Sequence, residues 1–269
     1  MRVAVITGAG SGLGSAMADA FAADGMAIAA LDIDGDRAAE TAARVGNDSV
    51  SMRVDVADRE SMVAAAKLVD DAFGGCDVVC ANVGVQQFGT VERLSEADWR
   101  WVMDVNVLGP VNTVYAFLPL LRKHDGQRNI VLTSSSSALT PGVRLGAYTA
   151  SKFAVMGLGE VLRQELEPEN IGVSILFPAG MMTRHLESSA EARPTEIGPW
   201  VIADDDISTM MASREMADEH IATPEHAVRN LVRDLADNRR YIITHGKYKA
   251  SIEERFDDVL ASFDRMTES

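Results

Sequence analysis

The chain opens with a short apolar run followed by four glycines within seven residues. Val3, Ala4, Val5, Ile6 and Thr7 form a β-branched run without polar alternation, and Gly8, Gly10, Gly12 and Gly14 come next, with Ser11 and Leu13 between them. Such a run fits a strand covered on both faces of a parallel sheet. Residues 15–23 are Ala-rich, with Met17 and Phe21 at helical spacing. Strand, glycine turn and helix in this order constrain the fold more than any other segment. The glycines allow a tight turn and close backbone approach. The helix start offers free N–H groups and a positive dipole end to an anion such as a pyrophosphate. The alternative is an ordinary βα turn, which four glycines in seven residues argue against.

A second apolar run, residues 26–31, ends in Asp32. A carboxylate after the second strand of such a unit accepts hydrogen bonds from the ribose hydroxyls of an adenine dinucleotide and repels a 2′-phosphate. Ser11 in the turn and Ile33 after Asp32 leave both places without a base, and Arg37 is the nearest cation beyond them. The pattern favours NAD over NADP. A helix cap or turn residue is the alternative role for Asp32.

Tyr148 and Lys152 stand four residues apart, and Ser135 lies thirteen residues upstream of the tyrosine. Residues i and i+4 share a helix face, so the ammonium can lie near the phenol. A phenol titrates near ~10; a nearby cation favours the phenolate, bringing it closer to the pH at which an acid–base catalyst works best. A hydroxyl from Ser135 can hold a substrate oxygen beside it. The same spacing also fits a buried tyrosine and an exposed lysine that merely share a helix.

Apolar runs at residues 78–81, 129–133 and 173–177 alternate with helical stretches. This alternation predicts βαβ units, right-handed crossovers and a doubly wound parallel α/β sheet with helices on both faces. No linker divides the 269 residues, and 47% hydrophobic content supplies one large core. One domain, 1–269, is expected. The polar stretch 187–206 carries Pro194 and Pro199 and reads as a loop between the sixth and seventh strands. Residues 181–220 are a candidate substrate lid, because long loops in compact domains are often active-site covers; a plain surface excursion is the alternative.

These motifs, in this order, resemble the short-chain dehydrogenase/reductase family over most of the chain. Thr7-Gly8-x-x-x-Gly12-x-Gly14 is similar to the family's cofactor turn, and the implied fold is a Rossmann sheet of about seven strands. Val54-Asp55-Val56 resembles the segment whose Asp receives the adenine amino group. Asn82 and Gly84 fall on matching positions of Asn-Asn-Ala-Gly, with Ala81 and Val83 departing from it. Asn106 resembles the catalytic Asn that bends a helix and holds a water in a proton relay. Residues 130–135 resemble the strand ending in the catalytic Ser; any hydroxyl of Ser134, Ser135, Ser136 and Ser137 could bind the substrate, and the spacing selects Ser135, with Ser134 second. Pro178, Met181 and Thr183 match Pro-Gly-x-Val-x-Thr, with Ala179 in place of Gly and Met181 in place of Val. The resemblance implies catalytic residues Asn106, Ser135, Tyr148 and Lys152. It implies that Lys152 also binds the nicotinamide ribose. It implies a cofactor site of Gly8, Ser11, Gly12, Leu13, Gly14, Asp32, Ile33, Asp55, Val56, Asn82, Gly84, Tyr148, Lys152, Pro178, Met181 and Thr183.

The formal charge of −15 argues against nucleic-acid and anionic-membrane partners. Apolar runs fall short of a membrane span. The N-terminus enters a strand at once, so no signal peptide and a cytoplasmic location are expected. Cys76 and Cys80 read as core thiols, and the five histidines show no metal spacing, so no metal is expected.

The expected activity is hydride transfer between NAD and a secondary alcohol or ketone. Candidate pocket stretches are 85–88, 138–145 and 181–216. The last holds Met181, Met182, Trp200, Met210, Met211 and Met216, which suits a bulky apolar or aromatic small molecule. Residues 241–245 and the C-terminal helix resemble a branch containing aryl-alcohol (lignin-dimer) and terpenoid- or steroid-alcohol dehydrogenases. Two alternatives stand: an NADPH-dependent 3-oxoacyl or carbonyl reductase, and a catalytically silent NAD-binding scaffold. The helix after Trp99 and the one carrying Tyr148 are apolar on more than one face. A second covered face, and the helix pairing seen in the family, predict a homotetramer or homodimer.

Overall fold

The first strand, β1 (Val3–Thr7), is buried at every position. Its period of two divides it between two cores. Val3 and Val5 pack with Ala27, Ala29 and Leu31 of β2 (Ala27–Asp32) on one face of the sheet. Ala4 and Ile6 pack with Ile28 and Ala30 on the other. The computed structural model describes residues 1–213 and 221–267.

The remaining strands are β3 (Val50–Arg53), β4 (Val78–Ala81), β5 (Arg128–Thr133), β6 (Ile171–Phe177), a short pair β7 (Gly180–Met181) and β8 (Ile221–Ala222), and β9 (Tyr241–Ile243). Seven of the nine form one sheet in the order β3-β2-β1-β4-β5-β6-β9, while β7 and β8 pair separately. Every pairing in the large sheet is parallel. This is the doubly wound Rossmann arrangement expected from the alternation of runs. The chain reverses direction across the sheet between β1 and β4, so a crevice opens at the carboxyl ends of those strands, where open α/β sheets bind ligands.

Helices cover both faces. On one lie α3 (Arg59–Phe73), α5 (Gly109–Leu121) and α6 (Gly146–Leu166), contributing Met62, Phe117 and Val155 to the first core. On the other lie α1 (Gly12–Ala23), α2 (Gly35–Val45), α9 (Pro224–Val228) and α10 (Leu231–Ala236), contributing Met17, Phe21, Ala38 and Leu231. Local chemistry starts several of these helices. Asp34 caps α2 and Asp58 caps α3 through side-chain acceptance of backbone N–H groups. Ser95 and Asp98 form a capping box on α4 (Glu96–Met103). Cys76 and Cys80 are buried, free thiols, and burial pushes both thiols well above their ordinary range.

The polar stretch 187–206 departs from a plain loop. It begins within α7 (His185–Glu191), turns through a 3₁₀ segment at Thr195–Ile197, and ends where α8 (Asp206–Ser213) starts. The prolines fall between the helical pieces: Pro194 precedes the 3₁₀ turn and Pro199 follows it. Residues 214–220 of the candidate lid, Met216 among them, lie outside the described residues. The chain closes with α11 (Lys249–Thr267). Among the described residues no helix is long and apolar enough to cross a membrane. No group of three His, Cys, Asp or Glu side chains among them is placed to hold a metal ion.

Candidate active site

The glycine turn is fixed by sterics. Gly8 and Gly12 have φ of +70° and +51°, a region that L side chains rarely adopt. A Cβ on Gly14 would lie 2.0 Å from the Gly8 carbonyl oxygen, so helix α1 approaches β1 only because position 14 has no side chain. A Cβ on Gly12 would meet Thr183 at 3.3 Å. The glycine turn and the 178–183 loop therefore face each other across the crevice.

A cleft of about 1340 Å³ runs along this crevice. Gly8, Ser11, Gly12, Leu13, Gly14, Asp32, Ile33, Asp55, Val56, Asn82, Gly84, Ser135, Tyr148, Lys152, Pro178, Met181 and Thr183 all line it, and Asn82 and Thr183 lie directly against the glycine turn. Asp32 is held in place by Gly10 N (2.8 Å) and Asp34 N (3.0 Å). Two arginines also line the cleft, and both guanidinium groups are engaged. Arg37 pairs with Asp34 and Glu191, and Arg53 donates to the Ile33 carbonyl at 3.1 Å. Arg53 stands opposite Asp32 in the β2–β3 register, a neighbour that no local motif reveals.

Asn82 ties three strand ends together. Its Nδ2 donates to the Thr7 carbonyl and its Oδ1 accepts from Thr133 Oγ1. Asn106 is not part of the cleft wall. It is fully buried in a π-helical turn, Asp104–Leu108, between α4 and α5. Its Oδ1 accepts from Val85 N (2.7 Å), and its Nδ2 donates to the Val85 carbonyl and to Ser151 Oγ (2.9 Å each). It thus braces the strand-β4 exit against helix α6.

Lys152 lies on α6, 3% exposed. Its ammonium donates to the Thr133 carbonyl at 3.0 Å and sits 5.6 Å from the centre of the Tyr148 ring. Burial lowers its pKa to about 8, so it remains mostly charged at neutral pH. The serine run is also sorted. Both Ser134 and Ser135 line the cleft; Ser134 Oγ donates to the Lys152 carbonyl (2.8 Å), whereas Ser135 Oγ accepts from Ser137 N.

The candidate substrate stretches contribute unevenly. Val85, Phe88, Leu145, Met210 and Met211 line the cleft. Met182 is 63% exposed instead, and Trp200 packs behind the wall, donating from Nε1 to the Gln86 carbonyl. Most of 138–145 turns away; Ala138 packs with Ile175 and Phe177 in a separate core cluster.

Three further residues, Trp101, His185 and His245, enter without a sequence motif to announce them, and Ser137 joins from the serine run. Trp101, Ser137 and His185 line the cleft. His245 shares a hydrogen bond between Nε2 and the Gly180 carbonyl (2.7 Å) and so braces the 178–183 loop. Ser137 belongs to the serine run that offers several candidate hydroxyls, and His185 lies two residues past Thr183. The His185 ring is 6.3 Å from that of Tyr148. Burial and, secondarily, the Lys152 charge lower its pKa to about 4.

That shift predicts an acid-sensitive fold. The unfolded imidazole, titrating near ~6.5, binds a proton that the folded one excludes down to about pH 4. Stability is fully present above this window and falls as pH drops through it. Urea midpoints at pH 7 and pH 5 should therefore separate more for the wild type than for His185→Phe. Equal separations would mean that His185 is not the responsible group.

A glycine turn at the switch point of a parallel sheet, opening toward a Ser–Tyr–Lys group, is the make-up of a dinucleotide-dependent oxidoreductase. The comparisons with known proteins agree. Residues 2–194 match the family described as short chain dehydrogenase, and the chain belongs to that family. It is 34% identical over 268 residues to a putative oxidoreductase, SadH, of Mycobacterium tuberculosis, covering 97% of this chain and 90% of that one. It is 29% identical over 265 residues to a C alpha-dehydrogenase of a Sphingobium species, covering 97% and 86%. The crystal structure of a short-chain dehydrogenase/reductase from Burkholderia phymatum in complex with NAD superposes with a TM-score of 0.88. It has 29% identity and covers 97% of this chain and 95% of that one.

Proposed function

We propose that the chain is an NAD-dependent dehydrogenase that interconverts a secondary alcohol and its ketone, on a bulky, largely apolar small molecule. One observation carries the reading: Ser135, Tyr148 and Lys152 line the same cleft as the glycine turn and Asp32. NAD supplies or accepts the hydride when bound. Gly8, Gly12 and Gly14 would admit its pyrophosphate at the start of α1, and Asp32 would hold the adenosine ribose. Ser135 orients the substrate oxygen. Tyr148 removes the alcohol proton, or returns it in reduction. Lys152 keeps the phenolate within reach of neutral pH and contacts the nicotinamide ribose. Asn106 keeps the helix of Tyr148 and the Val85 segment in register and, by family resemblance, takes part in the path for protons from Lys152.

The test is NADH formation across secondary alcohols graded by size and aromaticity. NADH binding without turnover of any of them would favour the silent-scaffold alternative. Cofactor choice follows from which charge faces the ribose. Arg37 and Arg53 are engaged elsewhere, so the Asp32 carboxylate should dominate. NAD is expected to exceed NADP by at least roughly tenfold in kcat/KM, about 1.4 kcal/mol. Comparable values for the two cofactors would return the reading to a carbonyl reductase of the NADPH type.

A homotetramer or homodimer is part of the proposal. Leu108, Val111 and Tyr115 at and after the π-helical turn, and Val161 on α6, remain exposed in the single chain. Symmetric closed assemblies are the commonest way to cover such faces. Light scattering at micromolar concentration should give a multiple of 28.9 kDa; the single-chain mass would refute it.

A further inference from the structure

Two polar atoms of the cleft lack what a buried polar atom ordinarily has. His185 Nε2 and Ser137 Oγ are out of contact with solvent and have no hydrogen-bond partner among the described residues. Both residues line the cleft together with Ser135 and Tyr148. An unmet buried hydrogen bond is destabilising, and folded proteins leave few of them. The surrounding groups are satisfied. Ser134 and Ser135 have the partners given above. The His185 backbone is tied at both ends, its N–H donating to Thr183 Oγ1 and its carbonyl accepting from Ser189 Oγ at 2.7 Å. The His185 backbone is thus fixed, while its Nε2 and the Ser137 hydroxyl have no partner among the described residues. Leu145, Ile197, Met210 and Met211 give the same cleft apolar lining.

We infer that His185 and Ser137 form a polar subsite for a second, uncharged oxygen function of the substrate, a few bonds from the carbon that exchanges hydride. This rests on the dehydrogenase reading above and narrows its substrate class. A neutral imidazole nitrogen donates or accepts according to its tautomer, and a hydroxyl does both, so a hydroxyl, carbonyl or ether oxygen is the matching group. The pKa of about 4 keeps the ring uncharged at working pH, so the ring itself offers a hydrogen bond rather than a charge. The 6.3 Å separation of the His185 and Tyr148 rings puts the second oxygen close to the first. The substrate is then an apolar body carrying two neighbouring oxygen functions rather than a simple apolar alcohol.

The test uses matched pairs of secondary alcohols that differ by one hydroxyl on the adjacent carbon, with NAD, in the full-length protein. The wild type should favour the oxygenated member by at least about tenfold in kcat/KM, because leaving the subsite unpaired penalises the plain alcohol. His185→Phe should lose at least about tenfold more on the oxygenated member than on the plain one, and His185→Gln, which keeps an amide near the same place, should recover part of the preference. An unchanged preference in His185→Phe overturns the subsite. So does an equal loss on both members with a raised KM for NAD, which would assign the ring to the nicotinamide. Should His185→Phe fail to fold, Ser137→Ala decides: a preference lowered by about threefold or more supports the subsite, and an unchanged one overturns it. A wild type that binds NADH yet oxidises neither member of any pair overturns the dehydrogenase reading itself, and the subsite with it.

Discussion

Tyr148→Phe is expected to lower kcat by at least about 10²-fold while leaving the affinity for NADH within a few-fold. The hydroxyl is the only group removed, and acid–base catalysis by a positioned side chain contributes roughly 10²–10⁴-fold. The surrounding geometry limits compensation. Ser135 lies on the cleft wall with its oxygen already accepting from Ser137 N. Lys152 is held by the Thr133 carbonyl and has no second base beside it in the hydrogen bonds described above. The fold should tolerate the change, because the Tyr148 ring stays and helix α6 is anchored through Ser151 to Asn106. Lys152→Ala should behave differently, damaging both kcat and cofactor affinity, since the ammonium serves the phenol and the ribose. Should Tyr148→Phe keep more than about a tenth of wild-type kcat, the proton-transfer role belongs to another group. Titration of NADH fluorescence in the same preparation separates lost chemistry from lost binding.

What the sequence made legible was local. The β1 run, the four glycines and α1 are contiguous, and each follows from sterics or periodicity within about twenty residues. The same holds for Tyr148 and Lys152, which one helical turn brings together. The choice of Ser135 over Ser134 rested on spacing alone; the structure adds that Ser134 is engaged by the Lys152 carbonyl. What stayed hidden depends on pairing at long range. Arg53 comes beside Asp32 only through the β2–β3 register. Asp32 meets Gly10 because the two strand ends lie side by side. The polar stretch 187–206 showed no helical period, yet α7 and α8 begin at its borders, because Thr183 satisfies the His185 N–H and Asp206 accepts from Ala203 N. Met182 and Trp200 were read as cavity residues from composition, and composition does not say which side of a wall a side chain occupies.

Arg193 is one of the residues that tie the candidate lid to the body of the protein, and its replacement by Leu should have a large effect on stability. The guanidinium is only 6% exposed and pairs with Asp98 at 2.7 Å. It also donates to the Gly198 and Ile197 carbonyls and to Gln87 Oε1, and lies 5.4 Å from the Trp101 ring. Burial alone would raise the Asp98 carboxyl, but hydrogen bonds from Ser95 and Arg193 hold it below its usual range. Removing one member of a buried pair leaves the other charge uncompensated, at a cost of about 3–5 kcal/mol. Asp98 keeps its Ser95 partners, so the lower end, about 3 kcal/mol, is expected for Arg193→Leu in urea unfolding. The 3₁₀ turn at Thr195–Ile197 would lose its two carbonyl anchors at the same time. The proposed lid would then loosen over the cleft, raising KM for bulky alcohols while KM for NAD stays within a few-fold, since the adenosine end touches none of these groups. Adding Asp98→Asn should restore part of the stability by removing the stranded charge, without restoring KM. If Arg193→Leu unfolds like the wild type, or if proteolysis of 185–213 is unchanged in the variant, the ion pair does not fasten this segment. The stretch is then a surface excursion that happens to border the cleft.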